Sequence, residues 1–289
     1  MDRVTLGIIG GSGVYDIESL EDVKEMRVNT PFGDPSDTLV VGTLAGVRVA
    51  FLPRHGRGHR IMPSEVNARA NIYALKSLGV GYVVAISACG SMREELAPRH
   101  IVIPDQIFDR TRGRPSTFFG HGMVAHISFD EPYCATLSDM VYRAVHKSGA
   151  TVHRGGTFLV IEGPQFSTKA ESRIYRQWGI DIIGMTALPE AKLAREAELC
   201  YACMAHITDY DVWHATEKPV TVAMMTENLR SNAAVTKQAL TYLAPMIAQH
   251  KARTCKCASA LENAIVTQRD RIPEGLKQDL GLLIGKYVQ

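Results

Sequence analysis

The chain of 289 residues contains no apolar stretch approaching the roughly 20 residues that a membrane-spanning helix requires. Its opening does not read as a secretion signal either. Asp2 and Arg3 come first, and the short apolar run at residues 6–9 is broken at once by glycines. Charge of one sign is also missing: 32 Lys and Arg against 30 Asp and Glu leave a net charge of +2. That excludes the basic footprint of a nucleic-acid-binding protein. The one basic cluster, Arg54-His55-Gly56-Arg57-Gly58-His59-Arg60, has no interleaved aromatics and suits a small anion better than a duplex. The expectation is a cytoplasmic protein acting on small molecules, with neither a membrane nor a nucleic acid as partner.

Both familiar phosphate loops are incomplete. Gly11-Ser12-Gly13 meets Asp16 where the dinucleotide fingerprint needs its last glycine, and no Gly-Lys-Ser/Thr follows to make a P-loop. Cysteine is too sparse for a secreted disulfide scaffold, at six residues in 289. Cys200 and Cys203 are three apart in one apolar strand, so they face opposite sides and make a poor chelating pair. Cys255 and Cys257 turn both thiols one way in an extended chain. Zinc and redox pairing are open to them, and inert thiols are the expected state. Nothing points to a metal or an organic cofactor.

What is present is a hydrophobic fraction of 46%, enough for a sizeable core. Strand-like apolar runs recur at residues 6–9, 47–52, 80–87, 101–103, 157–161, 180–183 and 200–207, and helical patterns lie between several of them. Pro63-Ser64 opens one, with Val66, Ala70, Leu75 and Leu78 on a helical spacing, and it stops at Gly79. Thr168 and Glu171 make a capping box. Pro189-Glu190 begins another helix, and residues 221–249 read as a long helix interrupted near Pro245. Such alternation predicts a single α/β domain with a mixed central sheet flanked by helices, over residues 1–250. Residues 251–289 read as a C-terminal helical extension, docking on the same domain or on a partner subunit.

Four turns that suit an anion each follow a strand. Gly10-Gly11-Ser12-Gly13 offers backbone N–H groups and a hydroxyl. Arg54-His55-Gly56 offers a bidentate fork beside an imidazole. Ser87-Ala88-Cys89-Gly90-Ser91 and Met185-Thr186 add further hydroxyls and N–H groups. The fifth feature is Thr208-Asp209-Tyr210-Asp211, after the apolar run 200–207. Strand alternation would turn Asp209 and Asp211 the same way, at the sheet edge where ligands bind in open α/β folds. Two neighbouring carboxylates tend to keep one proton between them. Such a pair can accept from an amino group and donate to a ring nitrogen, as a 6-aminopurine requires.

Taken together, these segments and Glu162-Gly163-Pro164-Gln165-Phe166-Ser167 occur in the order seen in trimeric purine nucleoside phosphorylases. The branch they resemble is the 5′-methylthioadenosine phosphorylases, over residues 4 to 250. The resemblance implies a homotrimer, in some members a dimer of trimers, that needs no cofactor and uses inorganic phosphate as co-substrate. It implies phosphate held by Ser12, Arg54, His55, Ser87, Ala88 and Thr186. It places the purine against Phe166, with Ser167, Asp209 and Asp211 along its edge, Met185 under the ribose and His59 near the nucleoside. His126 matches a residue that reaches into the neighbouring subunit's site. Ser167 and Asp209 stand where relatives that cleave 6-oxopurine nucleosides have Glu and Asn, so adenine is the implied base. Residues 222–226 lack the histidine that meets a 5′-hydroxyl in those relatives. Val222 and Met225 make the stretch apolar and suit a methylthio group, while Thr226 departs from the usual aliphatic residue. The Cys255-Cys257 spacing is similar to a redox motif of some heat-adapted members.

Overall fold

Five consecutive buried residues, Leu6–Gly10, form strand β1 of the computed structural model, which describes residues 3–11, 19–214, 221–250 and 252–288. The chain continues through β2 (Leu20–Met26), β3 (Leu39–Leu44), β4 (Val47–Pro53), α1 (Ala68–Ser77) and β5 (Tyr82–Ser91). Next come β6 (Ile101–Ile103), β7 (Gln106–Arg110), α2 (Ala135–Lys147), β8 (Val152–Arg154) and β9 (Thr157–Ile161). Then follow α3 (Lys169–Gln177), β10 (Ile182–Gly184), α4 (Ala187–Glu196) and β11 (Cys200–Asp209). The last helices are α5 (Val222–Ser231), α6 (Ala233–Gln249), α7 (Glu274–Asp279) and α8 (Gly281–Ile284).

One mixed sheet holds the described strands in the order β2-β3-β4-β1-β5-β10-β9-β7, with β11 on β5 and with β6 and β8 beyond β11. Strand β5 is its axis. One edge pairs in parallel with β11 along most of its length. The other edge pairs with β1 at Tyr82–Ala85 and then, antiparallel, with β10 at Gly90 and Ser91. Among the described residues no strand covers that second edge between those two stretches, which is where Ser87 and Ala88 lie.

Successive residues of the central strands alternate between two cores, as a pleated strand buried on both faces requires. Ile9, Val83, Tyr201 and Cys203 face α1 and α4, while Ile8, Val84, Cys200 and Met204 face α2 and α6. The C-terminal segment belongs to the same body: Leu261, Leu280, Leu283, Ile284 and Val288 are buried in the core beside α1 and α4. No described helix is long and apolar enough to cross a membrane.

Local departures from the sequence reading have simple causes. Helix α1 starts at Ala68, because Asn67 caps it by accepting the Ala70 N–H, and not at Pro63. The long C-terminal helix breaks at Asn232, whose amide donates to Arg99 O, whereas Pro245 sits inside α6 without ending it. Leu243, Ala244 and Ile247 are buried around that proline and hold the helix through it. Helix α4 bends at Leu188 before Pro189, and the capping box of Thr168 and Glu171 is formed. Strands β2 and β7 are mostly exposed and charged, so they carry no apolar run to be seen.

Glu196, near the end of α4, is 5% exposed and accepts from Phe118 N–H and the Thr117 hydroxyl. Burial pushes its carboxyl up to about 7 from 4.5. The native state therefore holds this proton more tightly than the unfolded chain. Stability should fall as pH rises through that window, by about 3 kcal/mol once it is passed. Gln mimics the protonated acid with the same partners. Glu196→Gln should flatten the dependence of the urea midpoint on pH between 4.5 and 7; a slope equal to the parent's would refute the assignment.

Candidate active site

Asp209 is the last residue of β11 and Asp211 lies two residues on, in a turn with φ of +50°. The pairing of β11 with β5 shifts between Ile207 and Asp209, so the strand ends in an irregularity and not a clean edge. The two carboxylates therefore do not meet by strand alternation, as the spacing implied. A turn brings the two residues together, with the Asp211 N–H donating to Asp209 Oδ1 at 2.8 Å. Both residues are buried, at 5% and 7% exposure. Gly90 of β5 makes room for them: a Cβ there would stand 2.8 Å from Asp209 Oδ1 and 3.4 Å from Asp211 Cβ.

Burial pushes both carboxyls above the ordinary aspartate value. At Asp209 the hydrogen bonds from Thr208 and Asp211 N–H oppose that rise; at Asp211 the Ser172 hydroxyl opposes it and the neighbouring Asp209 adds to it. The Thr208 hydroxyl lies 2.7 Å from Asp209 Oδ2 and 3.3 Å from Cys89 O, so it has an alternative acceptor if Asp209 takes up a proton. Asp211 Oδ2 and Ser167 Oγ are both buried and meet no hydrogen-bond partner among the described residues. Buried polar atoms rarely stay unpaired without reason, and a bound ligand is one such reason.

Ser167 precedes the N-cap of α3, and Ser172 stands in that helix, so α3 joins the segment 162–167 to Asp211. Phe166 is 39% exposed, an open aromatic face and not a core plug. Gly163, at φ +70°, lies so close to Met185 that a Cβ would meet its sulfur at 2.4 Å. Arg114 clamps the two loops together. It donates to Ile161 O and Glu162 O on one side and to Met185 O and Leu188 O on the other.

Beyond Met185, Thr186 donates to the buried Ser87 hydroxyl at 2.8 Å. Arg54 and His55 border the same small cavity as Met185 and Thr186. Here the structure corrects the expectation of an open guanidinium fork. The Nε and Nη2 edge of Arg54 is closed on Glu190, Nη1 donates to Ile86 O, and Nη2 also reaches Ile9 O. Burial works against the Arg54 charge, but Glu190 outweighs it and keeps the group protonated. His55 holds Ile61 O at 2.9 Å through Nδ1 and stacks on the exposed His59 at 4.4 Å. Burial first, then Arg54, lowers its pKa to about 4, so the ring is neutral and presents a bare Nε2.

Other expected residues lie less centrally. Val222 starts α5 at 70% exposure, and Asn228 of that helix donates to Thr208 O, tying α5 to the acid pair's strand. His126 is exposed on a segment whose backbone N–H donates to Ala264 O. Ser12 and the Met225 side chain lie outside the described residues. A cleft of about 660 Å³ lined by Met92, Arg93, Arg173 and Trp213 includes neither Asp209 nor Asp211. Sequence reasoning missed Arg114 and the roles of Glu190, as partner of Arg54, and of Gly90, as the seat of the acid pair. Glu190 resembled an ordinary helix start, and Arg114 follows a strand too polar to be recognised.

A family model described as the phosphorylase superfamily matches residues 5–244. The chain belongs to the phosphorylase superfamily. Among curated phosphorylases it is 54% identical over 289 residues, covering all of both chains, to the S-methyl-5′-thioadenosine phosphorylase of Geobacter sulfurreducens. The protein of that name from Koribacter versatilis is 53% identical, with 99% of this chain and 97% of that one covered. A methylthioadenosine phosphorylase from an Antarctic soil metagenomic library superposes with a TM-score of 0.93 at 46% identity, over 98% of this chain and 99% of that one. A mutant adenosine/methylthioadenosine phosphorylase from Schistosoma mansoni, solved with methylthioadenosine, gives 0.83 at 38% identity, over 90% and 96%.

Proposed function

We propose that this phosphorylase cleaves 5′-methylthioadenosine with inorganic phosphate, releasing adenine and 5-methylthioribose 1-phosphate. The observation that carries the reading is the buried acid pair, with raised pKa values and a free acceptor at Asp211 Oδ2. One shared proton and one open acceptor match the N7 and 6-amino groups of adenine. A 6-oxo group would meet that acceptor with no hydrogen to give.

In this reading phosphate lies at the uncovered edge of β5, held by Ser12, Ser87, Thr186 and the Ala88 N–H. Arg54 contributes its charge and its Nη1 side, since its fork is spent on Glu190. His55, neutral with Nδ1 on Ile61 O, accepts a hydrogen bond at Nε2 from a protonated phosphate oxygen. The purine stacks on Phe166 beside Ser167, Met185 supports the ribose, and His59, Val222 and Met225 border the nucleoside. His126 serves the site of a neighbouring copy in a homotrimer. A phosphate oxygen bonds to C1′ as the C1′–N9 bond breaks and its electrons enter the purine. Asp209 gives its proton to N7, and Asp211 Oδ2 accepts a hydrogen bond from the 6-amino group. No step calls for a cofactor.

The test is a panel of methylthioadenosine, methylthioinosine, adenosine and inosine, each with and without phosphate. Methylthioadenosine should be cleaved only with phosphate, and favoured over methylthioinosine by up to about 10⁴ in kcat/KM, as an unmatched buried polar group allows. Cleavage without phosphate, or equal turnover of the inosine analogue, would overturn the proposal.

A further inference from the structure

Four cysteines from three distant parts of the chain converge on one point away from the acid pair. Cys134 precedes α2, Cys200 heads β11, and Cys255 and Cys257 lie at the start of the C-terminal segment. Their sulfur atoms all lie within 4.8 Å of one another, with Cys200 and Cys255 at 3.3 Å. Cys134, Cys200 and Cys257 are buried and Cys255 is half-buried. Tetrahedral zinc with sulfur ligands at about 2.3 Å spaces its sulfurs about 3.8 Å apart. The observed cluster brackets that edge. Cys203, three residues along β11, faces the opposite core and takes no part, as strand alternation requires.

We propose that Cys134, Cys200, Cys255 and Cys257 form a closed structural site for one zinc ion, which fastens the C-terminal segment to the sheet. Binding exchanges one Zn²⁺ for the four thiol protons, with no change of oxidation state. Cys134 immediately precedes α2, and Cys255 immediately precedes the short helical turn Lys256–Ser259. Cys134 N–H donates to Tyr201 O at 2.8 Å, which locks it beside Cys200. Arg253 donates to Gly81 O and Glu198 O, next to the head of β11, and brings a positive charge towards a dianionic centre.

The four ligands leave no open position, so the ion would not activate water. Nine residue steps of extended strand, about 30 Å, separate Cys200 from Asp209 at the other end of β11. The role is mechanical. Residues 255–257 are held where the chain enters the segment that buries Leu261, Leu280 and Ile284.

The test uses the full-length protein, produced with zinc supplied and purified without chelator. Elemental analysis should find close to one zinc per chain, released by an organomercurial with the matching loss of protection of four thiols. Cys255→Ser and Cys257→Ser should each lower bound zinc at least tenfold, while Cys203→Ser keeps it. Reduced parent protein loaded with Co²⁺ should show thiolate-to-cobalt charge transfer and intense tetrahedral d–d bands, a readout that needs no variant to fold. Less than about a tenth of a zinc per chain with no cobalt spectrum would overturn the proposal. So would mass spectrometry showing these cysteines joined in disulfides in the protein as purified.

Discussion

Asp209→Asn is expected to lower kcat for phosphorolysis of methylthioadenosine by about 10²–10⁴-fold, the range that loss of a general acid produces. The fold should tolerate it. An amide oxygen at this position still accepts the Asp211 N–H, and the amide NH₂ can donate to Thr208, whose hydroxyl then turns to Cys89 O. The pH profile separates acid catalysis from simple positioning. Because burial raises the pKa of the pair, the protonated form persists further up the pH scale than for a free aspartate. In the parent, kcat should fall as pH rises through the raised pKa of the pair, and Asp209→Asn should lose that limb. Parental turnover in the variant, or an unchanged pH profile, would exclude Asp209 as the proton donor. Because the Asp209 charge also raises Asp211, the limb reports the pair and not one residue.

The second large effect concerns the partner of Arg54. Glu190→Ala leaves a guanidinium that is 3% exposed without its carboxylate. Breaking a buried ion pair from one side costs about 3–5 kcal/mol, because the remaining charge stays desolvated. The variant's urea midpoint should drop accordingly with an unchanged slope. It also deprives the Tyr201 hydroxyl of its acceptor. Inorganic phosphate should restore more stability to Glu190→Ala than to the parent, since the bound anion would supply a counter-charge that the buried guanidinium has lost. Arg54→Ala, by contrast, should act on phosphate binding by raising the phosphate KM. If Glu190→Ala were as stable as the parent, the ion pair would not hold the loop. An unaltered phosphate KM in Arg54→Ala would remove that residue from the anion site.

Local chemistry made much of this molecule readable from its residues. Apolar runs such as 200–207 had to be buried strands, and β11 is buried along its whole length. The cap of Thr168 and Glu171 needs only four successive residues, and it forms as the pattern requires. The order of the strand-end motifs was likewise enough to place the chain in its superfamily. Polar edge strands stayed hidden because β2 and β7 make their sheet bonds without an apolar face.

Long-range packing decided the rest, because it joins residues whose separation along the chain carries no signal. Arg54 meets Glu190 across 136 positions, which turns an apparent anion fork into an ion pair. Asp209 and Asp211 stand together through a turn seated on Gly90, and not through the two-residue period of a strand. Cys134 and Cys200 join Cys255 and Cys257 only because α2, β11 and the C-terminal segment end at the same place. Hydrophobic period and turn chemistry act over a few residues and are written in the sequence. Partner choice among buried charges and thiols depends on which chain segments the core brings within a few ångströms, and only the tertiary structure sets that.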